Sequence, residues 1–376
     1  MQEIYSSLSC NLDANILLAS IPLFEQEKIE AIEWSFDALY KHDQIPSWFA
    51  DLVSEYARNN RLVGHGIYFS VFSGKWLPQQ QQWLNKLAKF SKDFQFDHIS
   101  EHFGFMTGAD FHKGAPISIP FTPNIVELGA DRLARIQDVC QCPVGLENLA
   151  FAYSFEEVRM QGDFLAQLTD RINGFLILDL HNLYCQLHNF NITSEDLLKA
   201  YPLERVREIH ISGGSWEQGV TSDRLIRRDT HDGAVPQEVF ELLNEVIPLC
   251  SNLKFVVLEQ LGIALTSDQS RMQFQDDFDQ MDVIVKSHSN LRNTAPVNNF
   301  LPVFHPAITS PPKEDLQLYL QQQELSKILE NAKSLQHAQK LLQESSLRHS
   351  AWHIEEWSAD MLQTAIAIAQ KWKNGF

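Results

Sequence analysis

The chain has 376 residues, with 48 Asp and Glu against 30 Lys and Arg, a formal net charge of −18, and 44% hydrophobic residues including 24 Phe. That acidity weighs against non-specific attraction to nucleic acid or to an anionic membrane, which needs clustered Lys and Arg. An odd set of five cysteines in a long chain argues against a disulfide scaffold; no run approaches the roughly 20 apolar residues of a membrane span, and MQEIYSSLSCNLD has no basic stretch leading into an apolar one, so the expectation is a cytoplasmic protein with no nucleic-acid or membrane partner.

In chain order, eight short apolar runs read as strands: Ile4–Cys10, Glu30–Trp34, Leu62–Ser70, Phe96–Glu101, Val144–Asn148, Phe175–Leu180, Val206–Ile211 and Lys254–Glu259. Each is rich in Val, Ile, Leu or Phe and short enough for a strand buried on both faces. Between them the spacing predicts helices at Pro78–Phe94, Pro123–Val139, Phe155–Ile172, Pro236–Leu249 and Ser267–Ser287, with prolines near helix starts where a missing N–H costs nothing. Eight strand–helix alternations predict an α/β fold, a parallel (β/α)₈ barrel of the TIM type, over residues 1–288. Residues 289–313, with Asn298-Asn299 and Pro311-Pro312, read as a linker. Residues 314–376 read as a helical extension of two or three helices, with Trp352, Trp357 and Trp372 marking a face that packs on the barrel or on a partner.

Residues able to bind metal fall at the ends of these strands. His65 lies in the third run, His102 follows the fourth, and Glu147, Asp179, His210 and Glu259 stand at the ends of the fifth to eighth; Asp229-Thr230-His231 follows the seventh. One strand histidine is more often a hydrogen-bonded core residue than a ligand, and one terminal carboxylate more often caps a helix. Together they form a different case. Three buried carboxylates that converge on one mouth repel unless cations neutralise them, and imidazoles beside them are natural co-ligands. The C-terminal end of such a barrel is also where its active sites sit. So many donors exceed the needs of one ion, so two or three ions sharing a carboxylate are expected, with Glu147 as the bridge. A donor set of imidazole and carboxylate without thiolate suits iron, manganese or zinc. Asp37, Glu101, Asn148 and His181 are candidates to orient the ligands.

The order His65, His102, Glu147, Asp179-x-x-Asn182, His210, Asp229-x-His231, Glu259 resembles the trinuclear-metal pattern of the endonuclease IV and xylose-isomerase-like barrels. The phrases VGHGIYFSV, ISEHFGF, GLENLAFAY, LILDLHNLYCQLHN, VREIHISGG and DTHDGAVPQEVFELL are similar to the multinuclear non-heme iron-dependent oxidative enzymes, the family of the methanobactin-biosynthesis oxygenase and of an enzyme in the 3-thiaglutamate pathway. The resemblance implies one iron at His65, His102 and Glu147, a second at Glu147, Asp179, His210 and Glu259, and a third at Asn182, Asp229 and His231. It further implies oxidation of cysteine in a ribosomally made peptide, often shown to the enzyme by a peptide-presenting partner or domain. The chain departs from that family at Leu261, where a second carboxylate is usual, at His181 in place of an Asn, and at Gly214 in place of a His. Two other readings stand beside this one: a zinc- or manganese-dependent hydrolase or isomerase of the wider superfamily, and a non-catalytic metal-binding scaffold.

Overall fold

The computed structural model describes residues 3–41, 45–108, 113–221, 223–289, 296–302 and 308–374. Parts of the expected linker, 290–295 and 303–307, lie outside the described residues. Eight parallel strands close into a barrel: β1 (Tyr5–Ser9), β2 (Ala31–Trp34), β3 (Leu62–Gly66), β4 (Ile99–His102), β5 (Val144–Glu147), β6 (Phe175–Asp179), β7 (Val206–Ile211) and β8 (Phe255–Leu258). Each strand pairs with its successor in sequence, and β1 closes on β8 with Ser7 opposite Val257. The strands are almost wholly buried, as a barrel wrapped by helices requires.

The surrounding helices include α1 (Ala14–Glu25), α2 (Ser47–Arg58), α3 (Pro78–Asp93), α4 (Pro123–Cys140), α5 (Phe155–Arg171), α6 (Leu180–Phe190), α7 (Ser194–Leu198), α8 (Gln237–Val246) and α9 (Asp268–Ser289). Their starts follow local chemistry. Thr122 and Ser154 accept the first free N–H groups of α4 and α5, and Asp179 does so for α6. The strand expected over Leu62–Ser70 stops at Gly66 because the N–H groups of Ile67 and Tyr68 are taken by Asp37 Oδ2, both at 2.9 Å, and not by a neighbouring strand. Two short hairpins, Phe105–Met106 with Pro116–Ile117 and Ser215–Gln218 with Leu225–Arg228, rise from the loops after β4 and β7.

The chain leaves α9 and crosses the floor of the barrel. There Phe300 is fully buried against Phe175 and Ile177, and Asn298 bonds with Asn173 and Asn252. It then climbs along α4, where Arg135 and Arg132 donate to the carbonyls of Ser310 and Lys313. The C-terminal helices α10 (Leu316–Asn331), α11 (Leu335–Gln343) and α12 (Ala359–Trp372) pack on the barrel's C-terminal end. Four loops meet them. Gly74, after β3, bonds with Asp315 N and Gln322; a Cβ at Gly74 would lie 2.5 Å from Tyr319 N, so the loop and α10 touch backbone to backbone. Trp352 packs edge-on against Phe105 after β4. Trp357 stacks on Tyr153 after β5, with centroids 3.6 Å apart. Asp360 accepts from Val220 N and Thr221 N after β7. Among the described residues no helix is long and apolar enough to cross a membrane.

Candidate metal centre

Strand register brings the donors together. His102 sits opposite Glu147 across β4 and β5, and Asp179 opposite His210 across β6 and β7. His65, one position before the end of β3, lies opposite Ser100. Glu259 follows β8 directly, its N–H bonded to the carbonyl of Ile211.

Two ligand groups result, and Glu147 belongs to both. His65, His102 and Glu147 offer donor atoms within 4.8 Å of one another, and so do Glu147, Asp179, His210 and Glu259. Glu147 Oε2 lies 3.2 Å from His65 Nε2 and 3.3 Å from His102 Nε2. Its Oε1 lies 3.8 Å from His210 Nδ1, which is 3.2 Å from Glu259 Oε2. The tautomers of the first pair follow from their partners. The carbonyl of Gly66 can only accept, so His102 Nδ1, 3.1 Å away, carries the hydrogen. Ser100 Oγ donates to the carbonyl of Gly64 and takes the hydrogen of His65 Nδ1 at 2.8 Å. Both Nε2 lone pairs therefore face Glu147.

The fit to cations rests on atoms left without hydrogen bonds. Glu147 Oε2, Asp179 Oδ2, Asn182 Oδ1 and His210 Nδ1 are buried and bonded to no described residue. Such orphans cost about 1–3 kcal/mol each, and more when charged. All four of these atoms belong to residues less than 5% exposed, so water is a poor substitute for a ligand there. Without cations, protons balance the charge. Burial works against the imidazoliums, but Glu147 and Glu33 lift the His65 pKa to about 9, and Glu259, Glu33 and Glu208 raise that of His210 well above the ordinary range. Burial, with Asp229 and Glu147 nearby, pushes the Asp179 carboxyl well up.

The remaining residues proposed as ligands are placed as follows. Asp229 and His231 pair at 3.0 Å, and His231 Nδ1 is 3.7 Å from Glu259 Oε2. Asn182 donates to the carbonyl of Asn148 at 2.8 Å and to Glu147 Oε1 at 3.3 Å. Asn148 in turn holds the end of β6 through the N–H and carbonyl of Asp179. Both nitrogens of His181 are occupied: Arg227 Nε donates to Nε2 at 3.0 Å, and Nδ1 donates to Asp229 Oδ1 at 2.9 Å. His181 thus orients Asp229. Asp37 ties down the loop after His65 and also accepts from Trp83 Nε1. Glu101 points away from the donors, packed so closely on β3 that a Cβ at Gly66 would come within 2.0 Å of its Oε1.

Sequence reading missed Glu33 and Glu208. They form a third group with His210, below the first two and with no measurable exposure. The signal was present for one of them: Glu208 and His210 are two apart on β7 and so share its inner face.

Against this geometry, the family described as "RiPP precursor modification enzyme MbnB/TglH/ChrH" matches residues 39–261, more than half of the chain and from the segment that follows β2 to just past Glu259. The chain belongs to the MbnB/TglH/ChrH family. Two curated proteins resemble the chain at a distance. A UPF0276 protein of Rhizobium meliloti is 24% identical over 262 residues, 63% of this chain and 83% of that protein. A UPF0276 protein of Shewanella oneidensis is 29% identical over 180 residues, 48% of this chain and 62% of that protein. The match thus spans just under two thirds of the second relative's length. Among solved structures, a xylose isomerase domain protein from Planctomyces limnophilus superposes with a TM-score of 0.50 at 12% identity, covering 77% of this chain and 100% of that one. That likeness is one of fold. As an MbnB/TglH/ChrH member with these donor clusters, the chain is placed in a metal-dependent enzyme family, the one described by RiPP precursor modification.

Proposed function

We propose that this chain is a multinuclear iron-dependent oxidase or oxygenase that modifies a cysteine-containing ribosomal peptide, with dioxygen as the oxidant. The observation that carries the reading is the sharing of Glu147 between two ligand groups, which suits adjacent ions bridged by a carboxylate. One ion would be held by His65, His102 and Glu147, and a second by Glu147, Asp179, His210 and Glu259. Asn182, Asp229 and His231 are the proposed donors of a third. A donor set of imidazole and carboxylate, without thiolate, suits iron. Iron bound there supplies the one-electron chemistry that dioxygen requires.

The chain's own residues then have definable tasks. Gly66 and Ser100 hold the rings of His102 and His65 with Nε2 inward. Arg227 and His181 hold Asp229. Asp37 fixes the turn that follows His65. We assign the C-terminal helices to peptide presentation, the task a separate partner performs elsewhere in the resemblance. They border the same end of the barrel as the donors and enclose with it a cavity of about 300 Å³ lined by Phe103, Phe121, Phe164, Trp352 and Trp357. Phe103, on its lining, directly follows His102 in sequence.

Metal analysis with Mössbauer spectroscopy on purified protein tests the proposal. At least two irons per chain are expected, together with dioxygen consumption on adding a cysteine-containing peptide encoded beside the gene; His210→Ala should lose one iron equivalent and the dioxygen consumption. Stoichiometric zinc or manganese without iron, with full activity, would replace oxidation by the hydrolytic or isomerising chemistry of the wider superfamily.

A further inference from the structure

From His210 a chain of polar groups descends through the barrel axis to its floor, and beyond His210 it belongs to none of the ligand groups proposed to hold the ions. His210 Nε2 lies 2.7 Å from Glu208 Oε1 and 3.0 Å from Glu33 Oε2. The other oxygen of Glu208 lies 2.6 Å from His98 Nε2. His98 Nδ1 faces Arg207 Nε at 3.3 Å and Asp97 Oδ1 at 3.1 Å. Asp97 is bound by Arg207 at 2.6 Å and by Lys254. Glu33, His98, Glu208 and His210 have no measurable exposure, so no bulk water intervenes.

Hydrogen-bond inventory fixes what this chain does. A guanidinium only donates and a carboxylate only accepts. Arg207 Nε donates toward both Asp97 Oδ1 at 3.2 Å and His98 Nδ1 at 3.3 Å, and because the Glu208 carboxylate only accepts, the hydrogen between its second oxygen and His98 Nε2, 2.6 Å apart, lies on the ring. Glu208 then has one oxygen left, and it takes the hydrogen of His210 Nε2. Glu33 on the other side of that nitrogen favours the same arrangement, because a bare lone pair there would face two carboxylates. His210 Nδ1, bonded to no described residue and directed at Glu259 and Glu147, is then the nitrogen left to offer a lone pair when a cation stands between it and those two carboxylates.

We infer that Glu208 is a positioning residue, backed by His98 and Arg207, which sets the tautomer of His210 so that Nδ1 serves the metal group of Glu147, Asp179 and Glu259. His65 and His102 present Nε2 and are set from the barrel wall by Ser100 and Gly66; His210 presents the opposite nitrogen and is set from the floor. The inference rests on the metal-holding part of the proposed function and is independent of iron and of oxidation.

Cobalt(II) is the probe, because it reports coordination without redox chemistry. In the cobalt-loaded full chain, the Nε2 hydrogen of His210 gives a paramagnetically shifted proton NMR signal, identified by its loss in His210→Ala. Burial makes it slow to exchange with solvent. Glu208→Gln, nearly isosteric, should shift that signal or speed its exchange. It should also weaken cobalt binding at the Glu147, Asp179, His210 and Glu259 group by about 10- to 100-fold, the usual cost of losing an outer partner, while binding at His65, His102 and Glu147 stays near wild type. His98→Gln keeps a donor toward Glu208 and should retain the wild-type signal. His98→Phe, which fits beside Phe175 and Phe255, should behave like Glu208→Gln. Far-UV circular dichroism identifies any variant that fails to fold. Unchanged affinity and exchange in Glu208→Gln would overturn the inference. So would an additional equivalent of cobalt lost on Glu33→Gln, which would put a cation where the hydrogen is assigned. Wild-type protein that takes up no cobalt would overturn it together with the metal centre, whereas cobalt binding with this pattern in a protein inactive toward peptides would leave it standing.

Discussion

In the proposed centre Glu147 would serve two ions at once, and its two oxygens face different partners. One oxygen faces His65 and His102, the other faces Asn182 and His210. Burial raises its pKa, but His102 and His65 outweigh burial and leave it below the ordinary carboxylate value, so it is a ready anion. His102, in contrast, belongs to one group only. A substitution at the bridge must therefore differ in kind from one at a terminal ligand. Glu147→Gln keeps the shape and removes the charge; it should weaken both groups by more than roughly 100-fold, beyond the loss typical of an outer partner. His102→Ala should remove one equivalent and leave the second. Calorimetric titration with a divalent metal reads the stoichiometry directly, and loss of a single equivalent in Glu147→Gln would refute the bridge.

The start of α5 shows how an element carries chemistry of its own. Glu157 accepts from Tyr153 N at 2.9 Å and stands beside the cavity under the C-terminal helices. Burial, with Glu356 adding to it, raises its pKa from 4.5 to about 7. Below pH 4.5 the carboxyl is protonated in both folded and unfolded chains and costs nothing. As pH rises from 4.5 to 7, the unfolded chain ionises while the folded one does not, so stability falls. At about 1.4 kcal/mol per unit over 2.5 units (7 − 4.5), the loss reaches up to about 3.5 kcal/mol and is complete above pH 7. Urea unfolding from pH 4 to 8 should show Glu157→Gln gaining on wild type as pH rises; parallel curves would remove the effect. At this scale the sequence was uneven. Barrel strands were legible because runs such as Phe175–Leu180 and Lys254–Glu259 are apolar on both faces, and the clustering of candidate donors at strand ends was legible because a carboxylate closing such a run needs a reason. The end of β3 was not, since the partner of Ile67 and Tyr68 is Asp37, about 30 residues away. α6 was hidden too: it begins at Leu180, with Asp179 as both strand end and helix cap. Glu33 sits mid-strand with no spacing to a second ligand on β2, and helical periodicity in 314–376 gave helices without saying which surface they cover.

For the molecule as a whole, the donors and the C-terminal helices share the same loops. The loop after β5 runs from Glu147 to Tyr153, which stacks on Trp357. The loop after β7 carries Asp229 and His231 at one end and meets Asp360 through Val220 and Thr221 at the other. The loop after β3 leaves His65 and reaches Gly74, which bonds to α10. Removing the ions would leave Glu147, Asp179 and Glu259 facing one another with only protons to balance them, so the strand ends and these loops should loosen together. A bound ion contributes about 2.7 kcal/mol at a hundred-fold excess over its Kd, and two or three ions would add accordingly. Chelation should therefore lower the melting temperature, with the fall reversed on adding metal back. More specifically, hydrogen exchange should rise in residues 146–153 and 225–231 and also in α10 and α12, which contain none of the donors, while β1, α1 and α9 on the far side of the barrel stay protected. Exchange confined to the donor segments would mean that the helices are held independently of the centre, and the proposed link between metal loading and peptide presentation would fail with it.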